Sequence, residues 1–83
     1  MYQIVIRRSA EDTFKTFDKE IQRRFSKKIR KLSTQPDIYG KPLRGSLHGI
    51  WELYFERKFR ILYTIEFEKK EVIIEAIWHK DNF

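Results

Sequence analysis

The sequence predicts an α+β fold of order β-α-α-β-β-β, with two N-terminal helices packed on a mostly antiparallel four-stranded sheet. Three observations predict it. Six apolar residues between positions 14 and 32 recur at spacings of three or four, the period of one helix face. From residue 50 onward, three segments rich in β-branched and aromatic residues are separated by short charged stretches. All three Gly and both Pro fall between residues 36 and 49, so one irregular connection divides the helical half from the strand half. Helices followed by consecutive strands segregate to one side of a sheet. Residues 1–83 read as one domain.

The first strand is Tyr2-Gln3-Ile4-Val5-Ile6, closed by Arg7-Arg8. Ser9 is a candidate N-cap, with Asp12 three residues on beside the first-turn amides, and a short helix is expected from Ala10 to Phe17. Asp18 is a second N-cap, opening a helix from Lys19 to Ser33. Phe14, Phe17, Ile21, Phe25, Ile29 and Leu32 form the buried stripe of the pair. Lys19, Arg23, Arg24, Lys27, Lys28, Arg30 and Lys31 lie opposite, as an RNA-facing, a solvated or a partner-facing surface. After the Gly/Pro loop, Ile50 to Phe55 alternates, with Ile50, Glu52 and Tyr54 on one face and Trp51, Leu53 and Phe55 on the other. Glu56-Arg57-Lys58 turns into a strand from Phe59 to Phe67, and Glu68-Lys69-Lys70 turns into a last strand from Glu71 to Trp78. The apolar run through Val72, Ile73 and Ile74 suits a central strand covered on both faces.

Composition narrows the function. An 83-residue domain needs a core dense in large side chains, and the chain supplies seven Phe, four Tyr and two Trp. With no Cys, disulfides and thiolate metal sites are excluded, and a reducing cytoplasm is the expected setting. No signal peptide and no membrane span are expected. The net charge of +6 favours a polyanion or an acidic protein as partner.

The second half carries a resemblance. Lys41-Pro42-Leu43-Arg44-Gly45-Ser46-Leu47-His48-Gly49-Ile50-Trp51-Glu52-Leu53, then Phe59-Arg60-Ile61-Leu62-Tyr63, then Ile77-Trp78-His79-Lys80 occur in the order and spacing of the RelE/ParE superfamily of toxin–antitoxin toxins. The chain resembles RelE-, YoeB- and YafQ-like members most. The resemblance implies a toxin silenced by a cognate antitoxin. It further implies a ribosome-dependent mRNA endonuclease that uses 2′-hydroxyl attack without metal or cofactor, with ribosome and mRNA as partners. The ParE branch shares the fold but inhibits DNA gyrase, and a degenerate member would only bind antitoxin or RNA; fold alone does not decide among these.

Cleavage by 2′-hydroxyl attack needs a base, cations for the phosphoryl oxygens and an acid for the leaving oxygen. By resemblance the catalytic candidates are Arg60 as a bidentate phosphate clamp, His79 as acid or base, and Lys80 as a point charge. Arg44, His48, Arg57 and Lys58 are candidate RNA contacts, and Phe83 could stack a base. Trp51 reads as core; Trp78 reads equally as core edge or stacking residue. Two departures stand out. RelE-like members place two basic residues where this chain has Glu52 and Tyr54, and Gly40-Lys41-Pro42-Leu43 lacks the loop acid of YoeB-like members. The expectation is that Arg60 and His79, distant in the chain, converge on one site.

Overall fold

The computed structural model describes residues 1–82. The elements run β1 (Gln3–Ile6), α1 (Arg8–Phe14), α2 (Lys19–Arg30), a 3₁₀ turn (Lys31–Ser33), α3 (Pro36–Tyr39), β2 (Lys41–Pro42), a 3₁₀ turn (Gly45–Leu47), β3 (Trp51–Phe55), β4 (Phe59–Glu66), β5 (Glu71–His79) and a 3₁₀ turn (Lys80–Asn82). The fold class is the expected α+β. The sheet has five strands rather than four, in the order β1-β5-β4-β3-β2. The additional strand is β2, whose two residues pair with Glu52 and Trp51 at the sheet edge. Two residues carry no alternation, and Pro42 has no amide to donate, so the pattern contains no strand signal there. All pairings are antiparallel except β1 against β5.

Local chemistry explains most boundaries. The α1 helix starts at Arg8, not after a Ser9 cap, and its N-cap Arg7 makes no side-chain capping bond. The Arg7 amide instead donates to the Ile74 carbonyl at 2.9 Å, so β1 runs directly into the helix. Asp18 caps α2 as expected, accepting from the Ile21 amide at 2.8 Å. Lys27, Lys28 and Arg30 occupy the last turn of α2, where cations complement the helix dipole.

The core lies between the helices and one face of the sheet. Ala10, Phe25, Leu32, Ile61, Tyr63, Val72 and Ile74 are buried there. Phe25 packs edge-on against Phe55 at 5.5 Å, and Phe17 meets Phe59 at 4.9 Å between ring centres. Trp51 stacks on Tyr63 at 6.3 Å, on this same helix-covered face. The Tyr63 hydroxyl reaches out of the core to donate to the Pro36 carbonyl at 2.6 Å, pinning the start of the long connection. Gly40 sits where a Cβ would overlap the Tyr63 hydroxyl and approach the Glu52 carbonyl oxygen to 2.9 Å, so space alone demands glycine. No described helix is long and apolar enough to cross a membrane.

One irregularity in the sheet bears on the site. Leu62 pairs with Ala76, but Tyr63 pairs with Ile74, which leaves Glu75 as an extra residue on β5. This bulge exchanges the faces of β5 along its length. Val72 and Ile74 before it and Ile77 after it are all buried on the helix side. The strand is central, but only one of its faces is covered by helices.

Candidate nucleic-acid interface

The register brings three side chains into a row on the face away from the helices. Tyr54 of β3 lies directly opposite Arg60 of β4, and Arg60 directly opposite Trp78 of β5. Directly opposed residues share a face, so Arg60 has an aromatic residue beside it on each neighbouring strand. The Arg60 guanidinium lies 5.2 Å from the centre of the Tyr54 ring. Both rings remain accessible, Tyr54 at 50% and Trp78 at 38%.

Beneath the row lies Glu52, a buried acidic residue of β3. Its carboxylate accepts from Arg60 at 3.2 Å, diagonally across the hairpin. A carboxylate taken out of water needs a compensating cation, and Arg60 supplies it. The same contact orients the guanidinium. Arg60 is therefore held in place by the protein while sitting among accessible groups, the arrangement a preorganised anion contact requires.

The remaining candidates fall elsewhere. His79 pairs with Phe59, one residue out of phase with Arg60, and therefore lies on the helix side of the sheet. Its ring meets Phe59 edge-on at 5.4 Å, and its Nδ1 accepts from the Asp81 amide at 3.2 Å. Arg60 and His79 thus do not converge; the bulge at Glu75 puts Trp78, not His79, beside Arg60. Lys80 opens the terminal 3₁₀ turn and is exposed. Its amide donates to the Lys58 carbonyl at 2.7 Å, which brings Lys80 and Lys58 together at the β3–β4 turn. Arg57 occupies the same turn, with φ of 60°, next to Glu56 at 55°. Arg44 and His48 flank the Gly45–Leu47 turn, beyond the opposite end of β3. Phe83 lies outside the described residues.

Two contributors escaped the sequence reading. Glu52, a departure from the RelE-like pattern, is the partner that orients Arg60. Tyr54 stands on the face that alternation predicts, and only its pairing with Arg60 gives it a role. The available signal was the hairpin itself: with Phe55 and Phe59 closing the turn, Tyr54 must oppose Arg60 and Glu52 must lie diagonal to it.

A second cationic surface lies on α2. Arg23, Arg24, Lys27, Lys28 and Lys31 line a depression of about 260 Å³. Arg23 bonds Glu20 at 2.6 Å, and Arg24 bonds Glu56 at 3.2 Å. The Arg23 hydrogen bond holds the Glu20 carboxyl below its ordinary range. Lys31 lies 5.8 Å from the centre of the Tyr39 ring.

Comparison with known proteins extends these observations. A family model described as "Phage derived protein Gp49-like" matches residues 12–82. No curated protein matches the chain in sequence. A solved chain of the RelBE2 toxin–antitoxin complex from Mycobacterium tuberculosis is 26% identical, with 95% of this chain and 98% of that one covered, at a TM-score of 0.86. The YoeB/ParE toxin from Agrobacterium tumefaciens is 17% identical over 93% of this chain and 96% of that one, at 0.80. The isolated RelE toxin from E. coli is 18% identical over 95% and 84%, at 0.79. The resemblance drawn from the loop, the β4 block and the tail is borne out in the fold. With residues 12–82 matched to the family model, the chain belongs to the Gp49-like family of phage-derived proteins, and its architecture is that of the RelE/YoeB-type toxins.

Proposed function

We propose that this chain is the toxin of a toxin–antitoxin pair and acts on mRNA in the ribosome as a metal-independent endoribonuclease. The observation that carries the reading is the near-complete mutual coverage with a chain of a toxin–antitoxin complex at 26% identity. The open face of the sheet is its working surface. Arg60 meets the scissile phosphate, and its planar fork neutralises charge developing on the phosphoryl oxygens. Glu52 keeps the guanidinium aimed. Lys58 and Lys80, at the adjacent turn, attract the backbone as point charges. A cognate antitoxin, acidic to complement the +6 charge, covers this cationic surface and silences it.

Separation of His79 from Arg60 favours a second reading, in which the same face blocks its target by binding alone, as a gyrase inhibitor or a catalytically silent member would. The two readings part in one experiment. The purified chain is added to translating ribosomes and the 5′ ends of mRNA fragments are mapped, alongside growth on induced expression with and without the neighbouring reading frame. The nuclease reading expects growth arrest relieved by the neighbour, discrete cuts within codons, and a loss of about 10²–10³-fold in cutting for Arg60→Ala. Cuts that persist in His79→Ala remove the imidazole from the machinery. Arrest without cuts transfers the assignment to the binding reading. Absence of both arrest and cuts sinks the toxin assignment.

A further inference from the structure

Two large aromatic side chains stand accessible on the sheet face away from the helices, and neither belongs to the core. Tyr54 and Trp78 are placed there by the ladder, one on each side of Arg60. Their strands, β3 and β5, lie about 10 Å apart, with Arg60 on the strand between them. We propose that Tyr54 and Trp78 form a base-stacking subsite, in which unpaired nucleobases lie on the two rings while Arg60 meets the phosphate that links them.

This rests on the reading that the open face meets RNA, and it names the form of RNA: single-stranded, with its bases turned toward the protein. Three features favour a nucleic acid over a protein on this row. The accessible surface is aromatic, and every base offers a π-face to stack on it. An oriented guanidinium lies in the same row as a phosphate partner. The chain carries a net charge of +6, which draws a polyanion. The subsite also explains the departure at position 54. Where resemblance led to an expectation of a cation, this chain offers a ring, exchanging phosphate attraction for stacking.

The test uses the full chain and two labelled probes followed by fluorescence anisotropy: a hexauridine RNA and an abasic oligomer with the same number of phosphates. Tyr54→Ala and Trp78→Ala are each expected to weaken hexauridine binding about tenfold. Their affinity for the abasic probe stays unchanged. Tyr54→Phe retains hexauridine binding, because stacking needs the ring and not the hydroxyl. Phe67→Ala, which removes an exposed aromatic at the far end of β4, leaves both affinities unchanged. Circular dichroism and melting temperature verify that each variant is folded. Folded alanine variants that bind hexauridine like the wild type would overturn the subsite while leaving the RNA reading standing. Equal losses on both probes would overturn it too, since a charge effect and not stacking would then be at work. Variants that lose antitoxin binding but keep RNA binding would make the row a protein-docking surface. A wild-type chain that binds neither probe removes the RNA reading itself, and the subsite with it.

Discussion

Tyr63 shows how one residue joins the core to the long connection. Its ring is fully buried and its hydroxyl holds the Pro36 carbonyl at 2.6 Å. Tyr63→Phe keeps the ring but strands a buried carbonyl, and is expected to cost about 1–3 kcal/mol in urea unfolding. Burial, and secondarily the Asp37 carboxylate, hold the Tyr63 phenol well above its ordinary range. The sign of the pH effect follows. The unfolded phenol ionises near pH 10 while the folded one stays protonated, so the stability it contributes is full below about pH 10 and falls as pH rises beyond. The stability gap between wild type and Tyr63→Phe should therefore narrow in unfolding titrations above about pH 10; a gap constant with pH would contradict the assignment. Arg60 teaches the complementary lesson. A motif match could single it out, but its partner Glu52 became visible only through the diagonal of the hairpin.

At the scale of elements, the α2 helix was legible because its buried stripe, its Asp18 cap and its basic last turn all point the same way. The β3–β4 hairpin was legible as a turn but not as a strained one. Glu56 and Arg57 both have positive φ, the left-handed region that costs a non-glycine residue about 1 kcal/mol. Arg57→Gly is expected to raise stability by about 0.5–1 kcal/mol, read as a higher urea midpoint with unchanged slope. A lower midpoint would show that the arginine side chain contributes more than the backbone loses. If Arg57 also meets phosphate, the variant gains stability and loses RNA affinity, which separates the two roles in one protein. The β2 strand was not legible at all, because it exists only as an edge pairing offered by the rest of the sheet.

For the molecule as a whole, charge and topology set the terms of binding. A single-stranded RNA that engages Arg57, Lys58, Arg60 and Lys80 should bind with a slope of log K against log salt of about −3, and Arg60→Ala should reduce that slope by about 0.7. A slope near zero, measured by anisotropy between low and moderate salt, would mean that the four cations do not meet phosphate. The open face can host such a strand because α1 and α2 pack on the other side, and the parallel β1–β5 pairing places β5 in the sheet interior next to β4.

By itself the sequence determined the fold class, the helical stripe, the order of the strands along the chain and the candidacy of Arg60, because each is written in local periodicity, turn chemistry or a contiguous motif. Tertiary structure alone decided which side chains share a face at the end of β5. Strict alternation along β5 would have put His79 on the side of Val5 and Ile73, with Arg60. The single extra residue at Glu75, imposed by pairing with β4, reverses that parity and sets Trp78 beside the guanidinium instead. Face assignment in a sheet depends on a partner strand's register, and a one-residue bulge is a property of the pair that neither segment states alone.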